Sequence, residues 1–539
     1  MPGATTERRV DDSAPTSIAP TMTTPTVTAL TVTDRPALYS FLLGGIATVG
    51  FAPLALWPVT LGCVAAWLWI IHAAPGIRAA LWRGWLFGFA HFLIGNNWIA
   101  KAFAYQDAVP HALGWVAPGL MALYLGIFPM AAAGVAWRFR GARPDAAYVL
   151  SFAAAWIATE YLRGTVFTGY PWNPLSEIWL PLPGLSHSAA WIGTYALSGL
   201  TVAIAGMGVG AFHREWRGAA MAIGGLILIG LIAPPVWIAP GPLAPRVRVV
   251  QPDLDQEQRP RDDYAEANLT QLARLSGKPG PAPRLIVWPE GALRFLPEDG
   301  YPRQYYWEAT PYETRHRIAA LLGPKDVVLT GGNALNFDAE ERVISATNSI
   351  FAFDARARIL GRYDKAHLVP FGEYLPARPL LSAIGLSRLV PGDFDFAPGK
   401  GPNGLDLPAF GRVGFQLCYE IIFSGDVVQR GHRPAFLFQP SNDSWYGYWG
   451  QAEHLAQARM RAIEEGLPVI RATPTGISAI IDAQGRVLAS IPAEKAGAIE
   501  LPIPPAAPPT VFSRLGNLMA LLVGFCFLAS AIALRRFAR

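Results

Sequence analysis

The sequence is short of charge and of cysteine. Only 15% of its 539 residues are Asp, Glu, Lys or Arg, while 52% are hydrophobic and the mean hydropathy is positive at +0.27. So little charge on so much apolar residue excludes a solvated, disordered chain and places the protein among membrane proteins. Three cysteines imply no disulfide framework. Cys63 and Cys526 lie inside apolar runs, and Cys418 has no partner near it in sequence, which leaves it either an inert core residue or a reactive thiol. A net charge of +5 and a pI near 9.1 would suit nucleic acid or anionic lipid. The Lys and Arg residues, however, flank apolar segments, where they act as topology determinants and not as a nucleic-acid patch. No repeat of fixed period is present, and a chain of this length predicts two or more units.

Residues 1–35, rich in Thr, Pro, Ser and Ala, carry no apolar period and read as a disordered tail, with no signal-peptide pattern. From 36 to 240 apolar stretches are long enough to cross a hydrocarbon core of about 30 Å. They fall at 37–52, 54–73, 84–100, 112–136, 147–162, 186–210 and 218–238, and an eighth at 515–534 lies in the closing segment 513–539. Arg8, Arg9 and Arg35 precede the first, and Arg78, Arg83, Arg138, Arg140, Arg143, Arg214, Arg217, Arg535, Arg536 and Arg539 follow the second, fourth, sixth and last. The opposite loops hold little beyond Lys101 and Arg163. The expectation is a polytopic helical bundle of eight transmembrane helices with both termini cytoplasmic, and 241–512 as a domain on the outer side.

That domain alternates short β-rich runs with polar helical ones, which predicts an α/β sandwich. Strands are expected at 246–252, 285–290, 326–332, 349–354, 413–420, 435–443 and 478–485, and helices at 261–276, 311–322 and 451–466, the last closed by Gly466. Three reactive residues stand at strand ends: Glu290 in "LIVWPE", Lys365 in "RILGRYDKAHLVPFGEY" and Cys418 in "VGFQLCYE". Singly, each is ordinary. Together they form a nucleophilic apparatus, because a carboxylate can take the thiol proton while an ammonium favours the thiolate and then an oxyanion.

"WPEGA", "YDKAHLVPFGEY" and "GFQLCYE" resemble the three signature blocks of the nitrilase superfamily. With the membrane region before the domain and one helix after it, residues 37–535 resemble the apolipoprotein N-acyltransferase family within it, as do "RGTVFTGYPWN", "NDSWYG" and "QAEHLAQARMRAIE". The resemblance implies an αββα sandwich with a Glu290-Lys365-Cys418 triad. It implies transfer of the sn-1 acyl chain of a phospholipid, typically phosphatidylethanolamine, through a Cys418 thioester to the α-amino group of a diacylglyceryl-cysteine lipoprotein. It makes Glu373, Tyr374, Tyr419, Glu420 and Trp445 supporting or substrate-binding residues. No metal or organic cofactor is implied, and a monomer is expected. Two departures touch substrate contacts and not the triad: Arg259-Pro260 where a Lys-Trp pair is usual, and Pro474 where an Asn is usual. A greasy loop at 370–392 is a candidate lid.

Two other readings remain. A membrane-tethered amidase or nitrilase would use the same triad but needs only one helix. A catalytically dead binding module on a transporter would not need the triad, and charges inside the spans are scarce. "GMGVG" at 206–210 lies within an apolar segment and reads as close helix packing, not as a dinucleotide loop. His367 and His454 lack metal-ligand spacing to Cys418. Glu160 and Arg163 either snorkel and pair, or brace the outer domain or shape the lipid entrance.

Overall fold

Apolar runs fold as helices because every backbone polar group is then satisfied within the segment. The computed structural model describes residues 35–105, 113–211, 244–254, 263–306, 309–383, 388 and 395–537. The expected tail up to Asp34, the span at 218–238, Arg259-Pro260 and parts of the 370–392 loop lie outside these residues. In the first half run α1 (Pro36–Ile46), α2 (Trp57–His72), α3 (Ile77–Gly95), α4 (Leu113–Leu125), α5 (Ile127–Arg138), α6 (Ala146–Arg163) and α7 (Ala189–Ala211). Among the described residues three apolar stretches are long enough to cross a membrane: Gly114–Arg138, which joins α4 and α5, Ala189–Met207, and Leu518–Arg536. The stretches Pro36–Gly50 and Trp57–His72 are apolar but shorter. Arg78 and Arg83 in α3, and Glu160 and Arg163 in α6, dilute the hydropathy of those two helices. Gly206 belongs to a tight helix crossing, since a Cβ there would stand 2.2 Å from Val149 Cγ1.

Among the described residues the second half holds twelve strands: β1 (Arg246–Gln251), β2 (Arg284–Val287), β3 (Val327–Phe337), β4 (Val343–Asp354), β5 (Ile359–Asp364), β6 (Gly404–Leu407), β7 (Gly411–Phe415), β8 (Phe436–Pro440), β9 (Val469–Ala472), β10 (Ser478–Ile481), β11 (Val487–Ile491) and β12 (Gly497–Pro502). They form two six-stranded sheets, ordered β12-β1-β2-β3-β4-β5 and β11-β10-β9-β8-β7-β6. At the centre of each sheet three strands run parallel, β1-β2-β3 and β7-β8-β9.

Side-chain alternation explains the layering. Val247, Val249, Leu285, Val287 and Leu329 point inward to meet Val413, Phe415, Phe438 and Ile480 of the other sheet. Their neighbours Ile286, Trp288 and Val328 point outward and are covered by Leu269 and Leu272 of α8 (Tyr264–Ser276) and Ile318 of α9 (Pro311–Ala319). The opposite outer layer is α10 (Gly447–Glu465), capped by Gly466 in the left-handed region at φ 63. Its Ala458 and Ala462 join the core of the sandwich, whereas Ala456, Met460 and Ile463 join the core of the helical half. The buried pair Arg461–Glu464 fixes this junction, with Glu464 accepting from Thr194 N at 2.6 Å and Ser424 Oγ at 2.7 Å. After the sandwich, α11 (Leu518–Phe537) packs on α6 and α7 and bares Leu521, Phe525 and Ile532. So large an apolar surface suits lipid better than water.

Candidate active site

In open parallel sheets the crevice lies beyond the carboxyl ends of the strands. Glu290 follows β2, Lys365 follows β5, Cys418 follows β7 and Asn442 follows β8. Gly331 permits the approach of the Glu290 turn, since a Cβ there would stand 2.6 Å from Glu290 Cα. Glu290 Oε1 accepts from Asn348 Nδ2 at 2.7 Å and Oε2 accepts from Asn442 N at 2.6 Å. Asn348 Nδ2 also donates to Glu373 Oε1 at 2.9 Å. The same Glu373 oxygen accepts from Lys365 Nζ at 2.9 Å, and Oε2 accepts from Val369 N at 2.9 Å. Two carboxylates, one ammonium and one amide thus form a continuous network, in which Lys365, Glu373 and Asn348 are buried and Glu290 is half-buried.

The sequence predicts Cys418 at the end of a strand, but β7 stops at Phe415 and Cys418 opens a 3-10 turn, Cys418–Ile422, with φ 53. That left-handed conformation costs a non-glycine residue about 1–3 kcal/mol and persists only where surroundings hold it. Here its carbonyl oxygen is met by His454 Nε2 at 3.2 Å and by Gln439 Nε2 at 3.4 Å. Asp443 and Arg471 form a buried ion pair behind His454. Burial works to raise Asp443, yet Arg471 and His454 prevail and hold it at about 2. His454 is therefore a satisfied core histidine that supports the turn.

The charges of Glu290 and Lys365 act directly on Cys418. Burial pushes its thiol up to about 12, Glu290 adding to the rise and Lys365 opposing it. Burial also raises Glu290 above its ordinary value, with Lys365 offsetting part of that and Glu373 reinforcing it. Lys365 is disfavoured by burial, but Glu373, Cys418 and Glu290 outweigh this and keep it firmly protonated. The resting site thus holds a neutral thiol, a carboxyl of raised pKa and a permanent cation.

Glu420 is a strut. Its Oε1 accepts from Ala366 N at 2.7 Å, His367 N at 3.1 Å and Tyr363 Oη at 2.8 Å, and its Oε2 accepts from Leu417 N at 2.7 Å. It ties the Lys365 loop to the Cys418 turn. Glu420→Gln turns one acceptor into a donor that faces buried N–H groups, so stability should fall by about 1–3 kcal/mol in denaturant titration. An unchanged unfolding midpoint would contradict this role. Tyr419 Oη donates to Gly169 O at 3.1 Å and so reaches the helical half. Tyr374 lies in the Pro370–Tyr374 bridge, close enough to act electrostatically on Tyr419. Trp445 meets Tyr105 edge-on at 5.3 Å, outside the carboxylate network.

Glu160 and Arg163 do not snorkel. Both are buried, and Arg163 Nη1 donates to Tyr170 O at 2.7 Å and Trp172 O at 2.8 Å, while Glu160 Oε1 accepts from Leu175 N at 3.0 Å. They brace the segment that carries Gly169 and Trp172 beneath the site. Pro474 lines a cleft of ≈ 280 Å³ with Glu290, Asn442 and Arg294, beside the network. Sequence reasoning missed Asn348 and Tyr446, which touch Glu290 and Cys418. Asn348 carried no signal, being one polar residue in a strand, and Tyr446 stood in a quoted motif without a role.

Residues 246–506 match the family model described as carbon-nitrogen hydrolase, so the sandwich has the nitrilase-like fold. Residues 43–207 match the model for the apolipoprotein N-acyltransferase N-terminal domain. The apolipoprotein N-acyltransferase of Rhodopseudomonas palustris is 34% identical over 514 residues, covering 90% of this chain and 92% of that one. That of Caulobacter vibrioides is 35% identical over 503 residues, covering 89% and 91%. The chain belongs to the apolipoprotein N-acyltransferase family and is an acyltransferase. Saccharomyces cerevisiae Nit3, a member of branch 10 of the nitrilase superfamily, is similar over 50% of this chain and 93% of its own, at 17% identity and a TM-score of 0.33, too loose to bear on the site.

Proposed function

We propose that this enzyme moves an acyl chain from the sn-1 position of a phospholipid, phosphatidylethanolamine by preference, to the N-terminal amine of a diacylglyceryl-cysteine apolipoprotein. Cys418 is the nucleophile, Glu290 the general base and acid, and Lys365 the cation that stabilises the oxyanion. Glu290 takes the thiol proton as sulfur attacks the ester carbonyl, then gives it to the departing glycerol oxygen, which leaves lysophospholipid and a thioester. The lipoprotein amine attacks that thioester, and its proton returns to sulfur through Glu290. Glu373 and Asn348 hold Lys365 and Glu290 at their stations.

The observation that carries this reading is a buried Cys418 after β7 together with the hydrogen-bonded Glu290–Asn348–Glu373–Lys365 network, on a sandwich whose outer helix α10 is shared with an apolar helical half. Both substrates are lipids, and a bundle beside the site gives them a lateral approach that a soluble hydrolase has no use for. Exposed Phe371 and Leu380, in the 370–392 loop, supply the greasy cover that keeps a thioester from water. We place the chain in the bacterial cytoplasmic membrane, crossing eight times, as a monomer, with 241–512 on the periplasmic side. The basic residues that flank the helices support that orientation.

Intact-protein mass spectrometry after incubation with phosphatidylethanolamine tests the reading. An added acyl mass that hydroxylamine removes, and that disappears when a diacylglyceryl peptide is supplied, is the expected result. No added mass and no lysophospholipid would exclude this donor and favour the tethered hydrolase.

A further inference from the structure

The hydroxyl of Tyr446 stands 3.2 Å from Cys418 Sγ, and both side chains are buried. Ser441 and Tyr446 both bond the sulfur, and Lys365 acts on it as a charge. Ser441 Oγ gives its hydrogen to Asp443 Oδ1 at 2.6 Å, Lys365 Nζ gives one of its hydrogens to Glu373, and Glu290 accepts from Asn348 and Asn442. Tyr446 is thus a side-chain hydroxyl placed to donate to the sulfur. Its ring is held edge-on by Trp98 at 4.9 Å and by His454 at 5.1 Å, and it lies tilted against Trp172 at 5.4 Å. Trp98 follows α3, and Trp172 sits on the segment braced by Arg163, so the helical half fixes where the phenol points. Trp172 Nε1 is in turn anchored to Glu453 Oε2 at 2.8 Å.

We propose that Tyr446 is a further catalytic residue, whose hydroxyl donates a hydrogen bond to Cys418 Sγ each time the sulfur carries negative charge. This rests on Cys418 being the nucleophile. In the first half-reaction the thiol proton passes to Glu290, the sulfur lone pair forms the S–C bond, and the ester C–O bond breaks. In the second the N–C bond forms, the C–S bond breaks, and its electrons return to sulfur. Tyr446 keeps its own proton throughout. A thiol and a thioester are weak acceptors and a thiolate is a strong one, so the bond strengthens where charge develops, which raises rate and not ground-state binding.

The test uses the full-length chain in phospholipid–detergent micelles, with iodoacetamide alkylation read on the Cys418 peptide so that Cys63 and Cys526 do not contribute. Glu290 and Lys365 face the sulfur, Asp443, Glu290 and His454 face the phenol, and all are kept. Tyr446→Phe should slow alkylation at a fixed pH of about 9 by about 10- to 100-fold, because less thiolate is present, and slow acyl-enzyme formation by a similar factor, with KM for phospholipid unchanged. Placing 3-fluorotyrosine at 446, a stronger donor of nearly the same shape, should speed alkylation. A merely structural role would not give opposite changes. The inference is overturned if neither substitution changes the alkylation rate, or if both change it the same way while the wild type still forms its acyl-enzyme. A wild type with neither alkylation at Cys418 nor an acyl-enzyme would instead sink the nucleophile assignment, and this inference with it.

Discussion

Cys418→Ala should reduce lysophospholipid release by at least about 10⁴-fold and remove the hydroxylamine-labile acyl mass altogether. Nucleophile replacements in comparable triads cost on the order of 10⁶ in turnover. No neighbour can substitute. Glu290 and Glu373 are tied into the Asn348–Lys365 network, and the Tyr446 phenol is held well above its ordinary pKa, by burial first and by the site's negative charges after it. Folding should survive. The substitution removes one buried sulfur, a change on the scale of about 1 kcal/mol, and Ala meets the same left-handed backbone that Cys418 already adopts at φ 53. An unfolding midpoint near the wild type together with lost acylation would therefore assign the loss to chemistry. Residual release above about 1% of wild type would mean that another group attacks the ester, and the thioester route would fall.

The candidate site was legible in the sequence as three reactive residues expected at strand ends, although Cys418 stands in a 3-10 turn beyond its strand. Glu290, Lys365 and Cys418 stand at corresponding ends of the two sheets because parallel strands deliver their carboxyl termini to one edge. What the sequence could not show is how charge is balanced there. Asn348 bridges Glu290 and Glu373 from the middle of β4, where Ser and Thr neighbours make it look like any polar strand residue. Several strands also escaped pattern reading. β9 contains Arg471, whose charge argues against a central strand until its buried partner Asp443 is known, and β12 is half-buried throughout and ends in a proline. The 3-10 turn at Cys418 looked like continuing strand, because "GFQLCYE" is apolar enough to run on. The local bond from Leu417 N to Glu420 and the tertiary contacts with His454 and Gln439 hold the break. In the helical half, apolar length and the flanking basic residues predict the crossings. The tight packing at Gly206, and the polar brace of Glu160 and Arg163, depend on neighbours that no window along the chain reveals.

Glu290→Gln should slow acyl-enzyme formation about 10²- to 10⁴-fold, the range of a lost general base. The amide keeps the shape of the carboxylate, and its oxygen can still accept from Asn442 N, so the turn after β2 should hold. The pH dependence separates chemistry from structure. In the wild type the base works as a carboxylate. Burial, reinforced by Glu373 and opposed by Lys365, raises its pKa above 4.5, so the rate should fall as pH drops through a limb lying above 4.5. In the Gln variant that limb should vanish. Attack then needs free thiolate, and with a thiol pushed up to about 12 the residual rate should climb roughly tenfold per pH unit across the neutral range. The same substitution carries a stability signature of opposite sign. A carboxyl whose folded pKa is raised binds its proton more tightly in the folded chain than in the unfolded one. The wild type therefore loses stability as pH rises from 4.5 through the raised value, and the Gln variant does not. Above that window the variant should unfold at higher denaturant than the wild type while being far slower. A Gln variant that keeps the wild-type acid limb would remove Glu290 from the proton path. One that is slower and also less stable at neutral pH would show that the carboxylate's bonds to Asn348 and Asn442 outweigh the cost of burying its charge.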